Sequence, residues 1–149
     1  MRNIDTIIIH CSATKEGQDV SVDTIRDWHV NQRGFSDIGY HYVISLDGKI
    51  ENGRPISQPG AHCKGFNRRS VGICYVGGLD VDGNPKDTRT PEQKKALRDL
   101  TSYLKELYPI KIIAGHRDFS KDLNGDGIIS KNEWFKQCPS FETFYEDYL

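Results

Sequence analysis

Two apolar segments from opposite ends of the chain each lead into a histidine. Residues 7–9 are three consecutive isoleucines followed by His10, and residues 110–114 are a mostly apolar segment followed by Gly115 and His116. Short apolar runs of this kind predict buried strands. If the two strands lie side by side in one sheet, their histidines converge. This pairing constrains the fold more than any other feature of the sequence.

A third candidate metal ligand, Cys138, follows near the end of the chain. Two imidazoles and one thiolate form a donor set that suits zinc. Three protein ligands leave a fourth coordination position for water, which distinguishes a catalytic zinc site from a structural one. A single histidine at a strand end more often bonds a neighbouring backbone group, so the zinc hypothesis depends on His10, His116 and Cys138 together.

Length and charge set limits on the class of protein. The chain has 149 residues, the size of one domain, and a formal net charge of −1, which gives no electrostatic case for a nucleic-acid partner. No apolar run approaches membrane-spanning length, and the N-terminal residues lack a signal-peptide pattern. We therefore expect a monomer made in the cytoplasm, without a membrane span.

The cysteines argue against a disulfide-stabilised fold. None of the four forms a C-x-x-C pair, which excludes a cysteine-rich zinc knuckle. If Cys138 binds metal, three remain, an awkward number for disulfides. Cys11 and Cys74 are interpreted as small buried hydrophobic residues in strands, which fits a reducing compartment at synthesis.

The remaining pattern predicts an α/β fold: a single domain with a central mixed β-sheet flanked by helices. Asp47 and Gly48 predict a hairpin turn, and residues 53–70 form a long irregular stretch. Helices are expected after Ser21 and Thr90, and a final helix after Ser140. The predicted strands are residues 4–10, 39–45, 49–53, 71–76 and 110–114.

Several spaced motifs together resemble a known family over nearly the whole chain. They are Ile9–Thr14, Gly39–Tyr42, Val71–Cys74 with Gly77 and Gly78, Gly115–Asp118 and Lys136–Phe141. In this order they resemble the zinc-dependent N-acetylmuramoyl-L-alanine amidases of the phage-lysozyme type, which are relatives of the peptidoglycan recognition proteins. The resemblance implies one zinc ion per chain and peptidoglycan as substrate. The bond cut would be the amide between the lactyl group of N-acetylmuramic acid and L-alanine.

The resemblance also implies roles for individual residues. The matching zinc ligands are His10, His116 and Cys138, and the matching catalytic side chains are Tyr40 and Lys136. A zinc ion lowers the pKa of its bound water towards ~7. The Lys136 ammonium would stabilise the oxyanion, and the Tyr40 hydroxyl would bond either the water or the oxyanion. The residues expected to bind substrate are His62, Lys64 and Asn67.

Two other zinc-enzyme classes lack support. The chain has no H-E-x-x-H motif, so the helix-borne glutamate base of many metalloproteases is missing. It also lacks the signature of the zinc deaminases. The group that takes the proton is left open.

The segment between His116 and Cys138 is longer than in the compact phage enzymes and carries a second signal. Residues 122–133 match the calcium-loop pattern D-x-[DN]-x-[DN]-G-x5-E. The alternative is a polar turn that holds no ion. The candidate calcium ligands are Asp122, Asn124, Asp126, Ile128 through its carbonyl, Ser130 and Glu133.

The predicted function is therefore peptidoglycan hydrolysis of the endolysin or autolysin type. The alternative is a non-catalytic peptidoglycan-binding module, which loss of a zinc ligand would mark. A calcium-sensing interaction module would leave the two histidine-terminated strands unexplained. Without a signal peptide, the protein would act on the cell wall after release through a phage-type membrane hole or a secretion machine.

Overall fold

A five-stranded mixed sheet forms the centre of the protein. The computed structural model describes residues 2–121, 123 and 137–143. Lys136, all six candidate calcium ligands and the part beyond Thr143 of the helix expected after Ser140 lie outside the described residues. The strands are β1 (Thr6–Cys11), β2 (Thr14–Lys15), β3 (Tyr42–Ile44), β4 (Ile50–Asn52), β5 (Ser70–Tyr75), β6 (Gly78–Leu79) and β7 (Ile112–Gly115).

The strand order in the main sheet is β4-β3-β5-β1-β7. Strand β1 runs parallel to both β5 and β7, β3 runs parallel to β5, and β4 pairs antiparallel with β3 through the predicted hairpin. The predicted α/β fold and the predicted pairing of the two histidine-terminated strands are both confirmed. Strands β2 and β6 form a separate two-stranded parallel sheet.

Two helices begin where their capping residues predict. Ser21 accepts a hydrogen bond from the Thr24 amide at the start of α1 (Val22–Asp27), which continues as a π-helical turn over Trp28–Gln32. Thr90 and Gln93 form a capping box at the start of α2 (Pro91–Leu107), the helix predicted after Thr90. In the described part of the chain, no helix is long and apolar enough to cross a membrane.

The sheet is covered on both faces, which explains the unbroken apolar run in β1. On one face, Ile7 and Ile9 pack with α2 residues such as Leu97, and on the other Val43 packs with Ile25 of α1. Since side chains alternate along a strand, His10 projects to the α1 side.

The last strand differs from its prediction in position and burial. It was expected as a buried strand over residues 110–114, but β7 begins at Ile112, and this residue is 49% exposed. The reason is that β7 lies at the edge of the sheet, where one side has no neighbouring strand.

The irregular stretch over residues 53–70 is fastened to the sheet by Arg2. The Arg2 guanidinium donates to the carbonyl oxygens of Ile56 at 2.8 Å, Asn67 at 3.2 Å and Ser70 at 3.1 Å. One cation thereby holds both ends of the stretch in place.

Candidate metal centre

His10 and His116 meet because β1 and β7 are in parallel register. Ile9 pairs with Gly115, so the residues that follow them emerge at the same end of the sheet. Both histidines are buried, and their ring centroids are 4.7 Å apart.

Cys138 is held beside them by contacts from three elements. The Arg117 amide donates to the Cys138 carbonyl at 2.9 Å, and the Tyr75 hydroxyl donates to the Pro139 carbonyl at 2.6 Å. Pro139 packs directly on Gly115, where an added Cβ would lie 2.5 Å from the proline Cδ. A larger residue at Gly115 would therefore push the cysteine segment away from the histidines.

The donor atoms of His10, His116 and Cys138 all lie within 4.8 Å of one another. In a tetrahedral zinc site such atoms would be ~3.3–3.7 Å apart, given zinc–nitrogen and zinc–sulfur bonds of about 2.1 and 2.3 Å. Small side-chain movements would close the difference. Burial raises the pKa of the Cys138 thiol, so a metal would have to displace its proton. The donor types and their spacing fit zinc.

Tyr40 lies against this group, with its ring centroid 5.0 Å from that of His10. If residues 39–45 formed one regular strand as predicted, Tyr40 would lie on the same face as Tyr42 and Ile44. This prediction is wrong. The regular strand begins only at Tyr42, and Tyr40 packs with the α1-side core instead. Burial raises the pKa of the Tyr40 phenol well above its usual range, so the hydroxyl keeps its proton and is a hydrogen-bond donor.

Of the three expected substrate residues, His62 lies deepest. It is 8% exposed, and its Nδ1 atom lies 2.8 Å from Nε2 of His10. Burial lowers the pKa of His62 well below its usual value, with smaller contributions from His41 and His116, so the ring is neutral. Lys64 is exposed, and Oδ1 of Asn67 accepts hydrogen bonds from the backbone amides of His62 and Cys63.

Two further histidines near the site are packed rather than placed in the metal group. Nδ1 of His29 accepts a hydrogen bond from the Gly39 amide at 2.8 Å, and Nδ1 of His41 accepts one from the Gly72 amide at 3.0 Å. His29 is a packed residue, 6% exposed.

A groove runs past the candidate metal ligands. Its central cavity of about 340 Å³ is lined by the three ligands, Tyr40 and His62. A cavity of about 160 Å³ shares Tyr40 and His29 with it, and one of about 440 Å³ shares His62 and His116 and is also lined by Lys64 and Asn67. The three expected substrate residues therefore line the same side of this groove.

Backbone strain is found beside the central cavity. Ala13 has φ of +56° and Ser140 has φ of +69°, and both residues line that cavity. Such conformations cost of order 1–3 kcal/mol each and cluster at functional sites. Here they flank Cys11 and Cys138.

Two contacts in the site could not be found by sequence reasoning. The Cys11 amide donates to Sγ of Cys138 at 3.2 Å, and this backbone group leaves no signature in the residue types. The contact between His10 and His62 joins residues 52 positions apart. The only signal in the sequence was that His62 lies in an irregular segment, and this does not indicate which residue it contacts.

Comparison with known proteins identifies close similarities. A family model described as N-acetylmuramoyl-L-alanine amidase matches residues 1–139. The endolysin of Klebsiella phage KP32 is 43% identical over 136 residues, which cover 91% of this chain and 80% of that protein.

Two solved structures are also similar to this chain. The N-acetylmuramoyl-L-alanine amidase LysC from Clostridium intestinale URNW is similar with a TM-score of 0.72 and 29% identity, covering 95% of this chain and 79% of that one. Bumblebee PGRP-SA has a TM-score of 0.74 and 22% identity, covering 100% of this chain and 87% of that one, and so shares the fold.

Proposed function

Because the chain belongs to the N-acetylmuramoyl-L-alanine amidase family, we propose that its groove hydrolyses the amide between the lactyl group of N-acetylmuramic acid and L-alanine. The protein is a peptidoglycan hydrolase with amidase activity. The proposal for the site depends on one observation: His10, His116 and Cys138 come from three separate parts of the chain and converge in the lining of the central cavity.

These three residues would hold one zinc ion. Zinc bound there would supply a water molecule of lowered pKa and would polarise the scissile carbonyl. The Cys11 amide orients the Cys138 sulfur by donating to it. The partly buried Tyr40 phenol would donate a hydrogen bond to the oxyanion that develops from the substrate carbonyl, and the Lys136 ammonium is proposed as its second partner.

The groove would orient the substrate so that its scissile amide lies over the central cavity. We assign His62, Lys64 and Asn67 to the wall that contacts the muramyl peptide, because all three line the cavity of about 440 Å³. The exposed Lys64 ammonium is suited to a carboxylate of the stem peptide. The single-domain chain would act on the cell wall after its release.

The alternative function is binding of peptidoglycan without cleavage. The likeness to bumblebee PGRP-SA shows that the same fold occurs among recognition proteins. The intact set of two histidines and one cysteine favours catalysis over this alternative.

Metal analysis tests the proposed ligand set. Purified protein should carry about one zinc per chain, and Cys138→Ala should lose it together with activity. The matched control is Cys63→Ala, because Cys63 is also buried but is not a member of the metal group. Stoichiometric zinc and full activity in Cys138→Ala would contradict the assignment.

A further inference from the structure

We propose that His62 is a positioning residue for the zinc ligand His10. By accepting a hydrogen bond from the Nε2–H group of His10, it selects the tautomer of that ring that can bind a metal. The inference rests on the zinc centre proposed above and concerns a role distinct from contact with the substrate. It starts from the distance of 2.8 Å between Nε2 of His10 and Nδ1 of His62.

The choice of tautomer follows from counting protons. A neutral imidazole has one N–H and one nitrogen lone pair. If His62 donated, Nε2 of His10 would be the acceptor and Nδ1 of His10 would carry the proton, so neither nitrogen could bind a metal. If His10 donates from Nε2, the lone pair of that ring is on Nδ1, and Nδ1 is then the nitrogen that can bind a metal. With this hydrogen bond in place, metal binding by His10 requires His62 to be the acceptor.

The next contact supports the same direction. When Nδ1 of His62 accepts, the proton of that ring is on Nε2, which lies 3.2 Å from the hydroxyl oxygen of Ser70. Ser70 is fully buried at the start of β5 and can accept it. A directed chain of hydrogen bonds then runs from His10 through His62 to Ser70.

The position of the His62 ring is built into the fold. Its plane is nearly perpendicular to that of His10, at 89°, with centroids 4.9 Å apart. A Cβ added at Gly72 would lie 2.7 Å from ring atoms of His62, so β5 has a glycine where the ring needs room. Oδ1 of Asn67 fixes the backbone at His62 by accepting a hydrogen bond from the His62 amide at 3.0 Å. These contacts leave the ring little freedom to turn away from His10.

Groups that orient a ligating histidine typically contribute about 10- to 100-fold to metal affinity. We therefore expect His62→Leu, which cannot accept a hydrogen bond, to weaken zinc binding by at least tenfold. His62→Asn should restore most of the affinity, because its Oδ1 reaches roughly where Nδ1 of the histidine stands. His62→Gln carries the same amide one carbon further out and should bind zinc as weakly as the leucine variant.

The experiment measures the zinc dissociation constant of each full-length variant by competition with a chromogenic chelator. The absorption spectrum of the cobalt(II)-substituted protein reports the geometry of the ligands. We expect His62→Asn to recover both the zinc affinity and the wild-type spectrum, and His62→Gln to recover neither. If His62→Leu fails to fold, the comparison of these two amides decides the question alone.

Equal zinc affinity in wild type, His62→Leu and His62→Gln would overturn the inference, as would equal weakening in His62→Asn and His62→Gln. His10→Ala serves as the reference. If His10→Ala loses zinc while the His62 variants bind normally, the zinc centre stands and only the positioning role fails. If His10→Ala binds zinc like wild type, the proposed metal centre itself is wrong.

Discussion

The backbone amide of Cys11 donates a hydrogen bond to the sulfur of Cys138, 3.2 Å away and 127 positions later in the sequence. The strand that supplies His10 therefore also supplies a donor to the third candidate ligand. A thiolate that binds zinc benefits from such a donor because the hydrogen bond stabilises its charge.

The first prediction separates these two cysteines. Cys11→Ala should keep stoichiometric zinc, because the backbone amide that contacts Cys138 is unchanged. The Cys11 thiol is buried and lies 3.9 Å from the Ser140 hydroxyl, so the variant should lose some stability from the small cavity it leaves. Zinc content by atomic spectroscopy checks this. Loss of zinc from Cys11→Ala would mean that the Cys11 thiol is itself a ligand.

The second prediction concerns the two proposed catalytic side chains. Tyr40→Phe removes one hydroxyl and should lower the rate of peptidoglycan hydrolysis by roughly 100-fold or more, the usual scale for losing an oxyanion partner. Lys136→Ala should have a similar effect. Both variants should retain zinc, since neither residue is a proposed ligand. Wild-type rates in both would leave them without a catalytic role.

The third prediction concerns the pH dependence of stability. Burial lowers the pKa of both His29 and His41 from 6.5 to about 4. As the pH falls from 6.5 towards 4, the unfolded chain binds protons that the folded protein does not, so the free energy of unfolding should decrease. Each group contributes at most about 1.4 kcal/mol per pH unit to this slope.

Urea unfolding of wild type and His41→Asn across this pH range checks the slope. The asparagine can still accept a hydrogen bond from the Gly72 amide but does not titrate. The free energy of unfolding of the variant should therefore fall less steeply with acidification. Parallel curves for the two proteins would show that His41 is not responsible.

The fourth prediction concerns the calcium pattern at residues 122–133, which stays a prediction from sequence. Calcium that binds only the folded protein should raise Tm, by a stabilisation of ~2.7 kcal/mol at a hundredfold excess over Kd. Asp122→Ala and Glu133→Ala should each abolish the rise. Calorimetric titration with millimolar calcium that shows no binding would leave the motif as a polar turn.

Sequence reasoning was most successful where a single pattern determines the structure. The isoleucines before His10, the capping residues Thr90 and Gln93 and the hairpin turn at Gly48 each lead to the observed element. The pairing of β1 with β7 was predicted because two similar strands ended in the same metal-binding residue.

It was less successful where structure depends on tertiary contacts. The π-helical turn after Asp27 has no sequence signature, and the exposure of Ile112 follows from its place at the sheet edge. The predicted face for Tyr40 was wrong because regular strand geometry begins only at Tyr42 and not at residue 39 as the sequence pattern predicts. The His62 contact with His10 depends on how a loop of irregular backbone folds over β5, which residue types alone do not specify.

End-group analysis of digested peptidoglycan tests the proposed cleavage most directly. Purified protein should release free L-alanine amino termini and generate no new reducing sugar ends, because the bond cut is an amide and not a glycosidic bond. New reducing ends without free L-alanine amino termini would contradict the amidase assignment.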